Sequence, residues 1–235
     1  MELSHLKEPV GVHKAQAMCY AYIYAAKYDQ SRMGIRLTYC NLETENLCYF
    51  EETLSFKELS EWFEKLIDEY AKWAVWQIQW NRTRNASIKA LDFPFPYREG
   101  QKELVTGVYR TILRKKKLFI EAPTGVGKTI STIFPSVKAM GENLAEKLFY
   151  LTAKTITRTV AEDTFGILKA QGVSMKVVTI TAKEKICILD KPDCNPAACE
   201  RAKGYFDRVN DAVYDLLTNE NEINRDLINL YAEKH

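Results

Sequence analysis

The residues Ala122, Pro123, Thr124, Gly125, Val126, Gly127, Lys128 and Thr129 form a short run whose order spells out a chemistry. The string A-x-x-G-x-G-K-T is the Ala-first version of the G-x-x-x-x-G-K-[ST] phosphate-binding loop. Gly125 and Gly127 let the backbone curl so that successive N–H groups face phosphate oxygens. A helix that starts at the end of the loop adds the positive end of its dipole. Lys128 supplies a compact cation for the β- and γ-phosphates, and the Thr129 hydroxyl can ligate Mg²⁺. The spelling implies a nucleotide. The alternative is a plain glycine turn before a helix.

A second set of reactive side chains lies further on. Cys187, Cys194 and Cys199 follow C-x6-C-x4-C spacing in a stretch with Pro192, Asn195 and Pro196. Three thiols so close together in a reducing compartment suggest a metal or cluster site. The spacing is looser than the C-x2-C pairs of zinc ribbons, and His235 is the nearest histidine. An iron–sulfur cluster takes four thiolates as a rule, and the stretch supplies three. A site and three incidental thiols both remain open readings at this point. Cys19, Cys40 and Cys48 fall on expected regular elements and read as small buried hydrophobes.

These groups need elements to position them. The β-prone run Lys117–Glu121 precedes the loop, and the helix-prone run starting at Ile130 follows it. Further runs Lys147–Thr152 and Lys176–Thr181 read as strands, with a helix from about Arg158 to Ala170 between them. Alternation of this kind predicts a parallel sheet wound with helices. Upstream, Val12–Tyr28 reads as a helix. Arg36–Cys40 and Leu47–Phe50 flank a polar turn at Glu43–Asn46 and read as antiparallel strands. A long helix is expected from Ser60 to about Lys89, where Trp62, Leu66, Tyr70, Trp73, Trp76 and Trp80 recur at three- to four-residue spacing; this stripe is expected to be core. The proline-punctuated run Leu91–Tyr97 marks the expected domain boundary, and an amphipathic helix is expected from about Gly100 to Arg114. Arg201–His235 reads as polar and helical.

The chain has 235 residues, 46% of them apolar and 27% charged, with a formal net charge of +2. That composition supports an ordinary core, and its charge alone implies no nucleic-acid partner. No apolar run is long enough to span a membrane, and the first residues lack the form of a signal peptide. A cytoplasmic protein with unpaired cysteines is expected.

Taken together, these motifs resemble the XPD/DinG family of superfamily 2 DNA helicases, from about Phe93 onward. Phe95–Gln101 is similar to that family's adenine-recognising entry motif, with Arg98 and Gln101 as the matching residues. Glu121–Thr129 is its form of the phosphate loop. Tyr150–Thr155 is similar to the motif that contacts the DNA backbone, where Thr152, Lys154 and Thr155 would face phosphates. The resemblance implies a cysteine-rich insertion holding a [4Fe–4S] cluster, with Cys187, Cys194 and Cys199 as its first three ligands. The fourth, in a Cys-Pro context, is absent from the sequence. Gln16 and Tyr20 match the Q-x-x-x-Y motif of RecB-type PD-(D/E)XK nucleases, which occurs beside such helicases; the nuclease's metal-binding Asp and its D/E-x-K strand are absent.

The resemblance implies an α/β fold: a partial P-loop, RecA-like parallel sheet, preceded by a small α+β nuclease-like section and followed by a helical cysteine-rich insertion. The expected divisions are 1–90, 91–182 and 183–235. The implied function is ATP-driven, 5′-to-3′ unwinding of single-stranded or forked DNA, with ATP and Mg²⁺ as cofactors and no membrane. No Asp-Glu-Ala-His box follows Lys128, so the chain is expected to be an internal fragment of a longer helicase, inactive alone. Two rivals stand beside it. A small P-loop ATPase or kinase would need an acidic residue ending an apolar strand, and Asp163, Asp190 and Asp193 do not. A non-catalytic nucleotide- or DNA-binding relic is the other.

Overall fold

A computed structural model describes residues 6–152 and 155–235, and leaves aside the side chains of residues 155 and 156. The chain divides into two compact units, 1–76 and 77–235. The division falls at Trp76 rather than at the proline run, because the last turns of the long helix supply core residues to the second unit.

In the first unit, α1 (Gly11–Tyr28) is an alanine-rich helix that ends where Asp29 turns left-handed at φ 52°. The strands β1 (Arg32–Cys40) and β2 (Leu47–Ser55) pair antiparallel, from Arg32 opposite Ser55 to Cys40 opposite Leu47. Ala21, Ile35 and Leu59 form the centre of a small core, with Met18, Tyr22 and Leu54 packed around it. The helix α2 (Phe56–Lys89) starts with a reciprocal cap. The Ser55 N–H donates to Glu58 Oε2 at 2.8 Å, and the Glu58 N–H donates to Ser55 Oγ at 3.2 Å. This is the capping box, which satisfies two amides that a helix start leaves without partners.

In the second unit, α3 (Gln101–Leu113), α4 (Lys128–Gly141) and α5 (Thr155–Ala170) pack through Val105, Ile133, Val137 and Leu168, with Ile88 from the end of α2 and Leu91 just beyond it. Each fully buried aliphatic side chain stabilises the fold by roughly 1.5–3 kcal/mol relative to exposure. Two contacts set the approach of α2 and α4. Lys138 Nζ donates to the carbonyls of Ile88, Lys89 and Leu91 at 3.4, 3.2 and 3.0 Å, so a cation sits on the last two carbonyls of α2 and on one just past its end. Gly141 lies so near that an added Cβ would fall 2.5 Å from Ile88 Cγ2. The rest of the unit comprises β3 (Val177–Val178), α6 (Lys183–Ile186), α7 (Tyr205–Asn219), β4 (Glu222–Ile223) and α8 (Arg225–Lys234), the last capped by the Asn224 side chain.

Several expectations are corrected here. Among the described residues the fold is mixed α/β, mostly helical, with one antiparallel hairpin and a two-residue parallel pairing of β3 with β4. No parallel P-loop sheet is formed by them. The runs Lys117–Glu121 and Lys147–Thr152 carry no strand ladder, and only Val177–Val178 of the third run pairs. The physical reason is that strand propensity measures fit to a half-buried pleated surface, and a ladder exists only when neighbours complete it. Phe119 is 93% and Leu151 89% exposed, and although Leu148 and Tyr150 pack against the core, no neighbouring strand among the described residues completes a ladder with either run.

The tryptophan stripe is not core either. Trp62, Trp73, Trp76 and Trp80 are half-buried, and Leu66 and Tyr70 are exposed. Thirty-four residues of helix outrun the partners available to cover them. Cys40 is exposed, and Cys19 and Cys48 are half-buried, because the small core takes alanine, isoleucine and leucine instead.

Two predictions follow from the packing. Gly141→Ala should destabilise the chain by about 1–3 kcal/mol, since the buried Ile88 has no room to yield; chemical denaturation monitored by tryptophan fluorescence measures it. The cap makes a pH-dependent contribution. Hydrogen bonds from the Ser55 backbone and then its hydroxyl hold the Glu58 carboxyl below the usual glutamate range. A depressed carboxylate stabilises the fold above the unfolded pKa, about 4.3, and that stability is lost as pH falls through the folded value. The stability difference between wild type and Glu58→Gln should therefore be full at pH 6 and shrink steadily as pH drops below 4.

Candidate functional site

The loop at 122–129 is shaped by its two glycines. Both are left-handed, Gly125 at φ 84° and Gly127 at φ 79°. L side chains pay about 1–2 kcal/mol there, so glycine is the residue that fits. Gly127 is also the N-cap of α4, and no side chain caps that end. The first bond of the helix backbone runs from the Ser131 N–H to the Gly127 carbonyl at 3.1 Å. The amides before Ser131 lie at the orphan end of a 14-residue helix, which is a ready anion site.

The start of α3 is fastened to this loop. Gln101 is only 3% exposed. Its Oε1 accepts from the Arg98 N–H at 3.0 Å, and its Nε2 donates to the Val126 carbonyl at 3.0 Å. The Arg98 guanidinium donates to the Gly125 carbonyl. Gln101 thus spends both ends of its amide on backbone, which removes the penalty of burying it. The fit is close: a Cβ on Gly127 would sit 2.7 Å from Gln101 Nε2. Two glycine requirements meet at this one position, a left-handed φ and a neighbour without clearance.

Lys128 begins α4 and is exposed. Its ammonium donates to the Ala122 and Pro123 carbonyls at 2.9 and 2.8 Å. The cation therefore lies along the inside of the loop, bonded to Pro123 and held over the same curl that presents the amides. Thr129 is half-buried in the first turn, beside Thr124 and Val126 in the loop sequence. The structure thus brings together Arg98, Gln101, Gly125, Val126, Gly127 and Lys128 as one bonded constellation. The donor set is that of a phosphate cradle: uncapped helix amides, a cation and a curled backbone. These residues fit a nucleotide's phosphates.

The other expected site residues are not gathered in this way. Thr152 is half-buried ahead of α5; Lys154 and the Thr155 side chain lie outside the described residues. Among the described residues, no three His, Cys, Asp or Glu side chains converge as a metal group. Cys199 is buried, Cys187 half-buried and Cys194 exposed. The Lys183 amine is held above the usual lysine range chiefly by a hydrogen bond with Cys194. Local turns shape the stretch instead, with Asn195 Oδ1 accepting from the Ala197 N–H and the Asn195 carbonyl from the Cys199 N–H. As placed, these three thiols do not fit a four-thiolate cluster.

In the first unit, Gln16 and Tyr20 are exposed neighbours on α1, with Nε2 donating to the tyrosine hydroxyl at 3.3 Å. Sequence reasoning passed over their surroundings. Tyr24, Lys27 and Tyr28 continue the same outer side, and the signal available was tyrosine at every fourth position. It also missed that Arg98 binds the loop through its guanidinium.

The loop geometry predicts a coupled pair of variants. Gly127→Ala should destabilise by more than the backbone term of about 1–2 kcal/mol, because the methyl also meets Gln101. Adding Gln101→Ala to it should recover part of that loss, while Gln101→Ala alone should destabilise; a double-mutant cycle of unfolding free energies reads the coupling.

No protein-family model matches the chain, and no solved structure matches it. A probable ATP-dependent helicase of Methanocaldococcus jannaschii is similar, 46% identical over 46 residues. The match covers 19% of this chain and 7% of that protein. The likeness is to a helicase, over a short stretch. Among the described residues no helix is long and apolar enough to cross a membrane.

Proposed function

We propose that this chain carries the phosphate-gripping part of an ATP-dependent DNA helicase of the XPD/DinG type. One observation carries the reading: the loop 122–129 runs without a side-chain cap into α4 and is bonded to Gln101, the first residue of the preceding helix, and to Arg98 just before it. The short likeness to a probable ATP-dependent helicase supports it.

In this reading the β- and γ-phosphates of ATP lie on the first-turn amides of α4. Lys128 exchanges the Ala122 and Pro123 carbonyls for phosphate oxygens, a stronger, charge-assisted set of bonds. Thr129 offers its hydroxyl to the Mg²⁺ that accompanies the phosphates. Arg98 and Gln101 hold the loop's shape from the side where the adenine would lie. Phosphoryl transfer depends on positioning and on electrostatic stabilisation, and these residues supply the first half of both. Thr152, Lys154 and Thr155 would face the backbone of a single-stranded or forked DNA, with 5′-to-3′ stepping as the family resemblance implies. The group that orients the attacking water and a carboxylate that holds the metal would come from other residues, since no Asp-Glu-Ala-His box follows Lys128 in this sequence. The thiols Cys187, Cys194 and Cys199 belong to a cluster in this reading only if a fourth ligand draws them together.

Titration calorimetry with MgATP tests the phosphate site. Wild type should bind, and Lys128→Ala should bind at least tenfold more weakly with an unchanged melting temperature. Equal affinity for both proteins would show that Lys128 and its loop do not grip phosphate.

A further inference from the structure

The long helix α2 carries a second stripe, apart from its tryptophans. Glu64, Ile67, Ala71, Val75, Ile78 and Arg82 follow one another at three- and four-residue steps, so they line one side of the helix. Leu59 and Ile88 are almost wholly buried and mark the inner side of α2 near its two ends. At 3.6 residues per turn the stripe lies about a third of a turn around from them, on the outer side. Ile67, Val75 and Ile78 are each exposed over about half of their surface, and Glu64 and Arg82 are exposed at the two ends. A single exposed aliphatic residue needs no account, but several in line on one helix form a patch.

The order of the stripe is symmetric about Trp73 in shape and antisymmetric in charge. Ala71 and Val75 stand two residues to either side of Trp73, Ile67 and Ile78 six before and five after, and Glu64 and Arg82 nine before and nine after. Such a helix is complementary to a second copy of itself turned end for end. The antiparallel pair sets Ile67 against Ile78 and Ala71 against Val75, and it brings each Glu64 to the other copy's Arg82. A parallel pair would instead set carboxylate against carboxylate and guanidinium against guanidinium. Among the described residues Glu61 pairs with Lys57 and Glu69 with Lys72, while neither Glu64 nor Arg82 forms an ion pair. Both charges are open to a contact from outside.

We propose that the Glu64–Arg82 face of α2 is a two-fold interface through which two copies of this chain associate antiparallel. A contact of this symmetry uses the same patch twice, so one stripe supplies both halves. The small side chain of Ala71 near the middle lets the two helix axes approach closely. The charges at the ends fix direction and register, because every other alignment leaves them opposite apolar side chains or like charges. Glu64 to Arg82 spans about 27 Å of helix, which is small for a specific interface, so the pairing is reversible and concentration-dependent. It involves α2 alone and is independent of the phosphate loop.

Sedimentation velocity of the full chain, over about 1–200 μM, is the test. The 27.1 kDa monomer should give way to a species of twice that mass as concentration rises. Val75→Glu puts two carboxylates into the middle of the patch and should keep the chain monomeric throughout. Glu64→Arg and Arg82→Glu, each alone, set like charges together at both ends and should weaken association by about tenfold or more. Mixing those two variants should restore association, and so should combining both changes in one chain. Recovery in the doubly reversed chain also shows that neither change spoils the fold, and circular dichroism checks the same for Val75→Glu. A chain that stays monomeric at the highest concentration would overturn the proposal. A dimer that survives Val75→Glu or tolerates both single reversals would overturn it too, since the contact would then lie on another surface. So would a loss of association that neither mixing nor the double reversal repairs.

Discussion

The buried amide of Gln101 is the group on which the shape of the loop at 122–129 depends. A loop of glycines has no shape of its own: the freedom that lets Gly125 and Gly127 turn left-handed also lets them turn elsewhere. Gln101 removes that freedom from one side by accepting from Arg98 and donating to Val126. The α4 dipole and its uncapped amides act from the other side. Between them the curl of the loop is fixed by the protein's own bonds, and a loop fixed in this way is preorganised for whatever it binds.

That local order is anchored by packing further back. The helix α4 is buried along Ile133, Phe134 and Val137, and its far end is locked by Gly141 against Ile88 and by the Lys138 ammonium on the carbonyls of Ile88 and Lys89 at the end of α2 and of Leu91 just beyond it. The helix that supplies the cradle is thus held at both ends by different means. At its start the constraint is directional hydrogen bonding; at its end it is steric contact and charge. A substitution at either end tests a different kind of force.

Much of the helical framework was legible in the sequence, because three- to four-residue periodicity and turn chemistry are local. The helices at 11–28, 56–89, 101–113 and 128–141 and the hairpin all fall where the pattern put them, and the loop lies at the start of its helix as its spelling requires. The strands were not legible, for the same reason reversed. Leu118, Phe119 and Ile120 have every local mark of a strand, but a strand is a relation between segments. The tryptophan stripe misled similarly: periodicity shows that one side of a helix is apolar, and says nothing about whether a partner covers it. The cysteine spacing was visible, yet the positions of Cys194 and Cys199 depend on the Asx turns of residues 193–197, which spacing does not encode.

The uncovered run Leu118–Ile120 has a consequence for how the polypeptide behaves at concentration. Short, β-prone, apolar segments without a ladder are templates for pairing between molecules. Here the run is bracketed by Arg114–Lys117 on one side and Glu121 on the other, and Lys147 stands directly before Leu148–Leu151 in the same manner. Charges in those places act as gatekeepers, raising the electrostatic cost of stacking like segments in register. Since that repulsion is screened by salt over roughly 10 Å at 0.1 M, colloidal stability of the chain is a property of the buffer as much as of the fold.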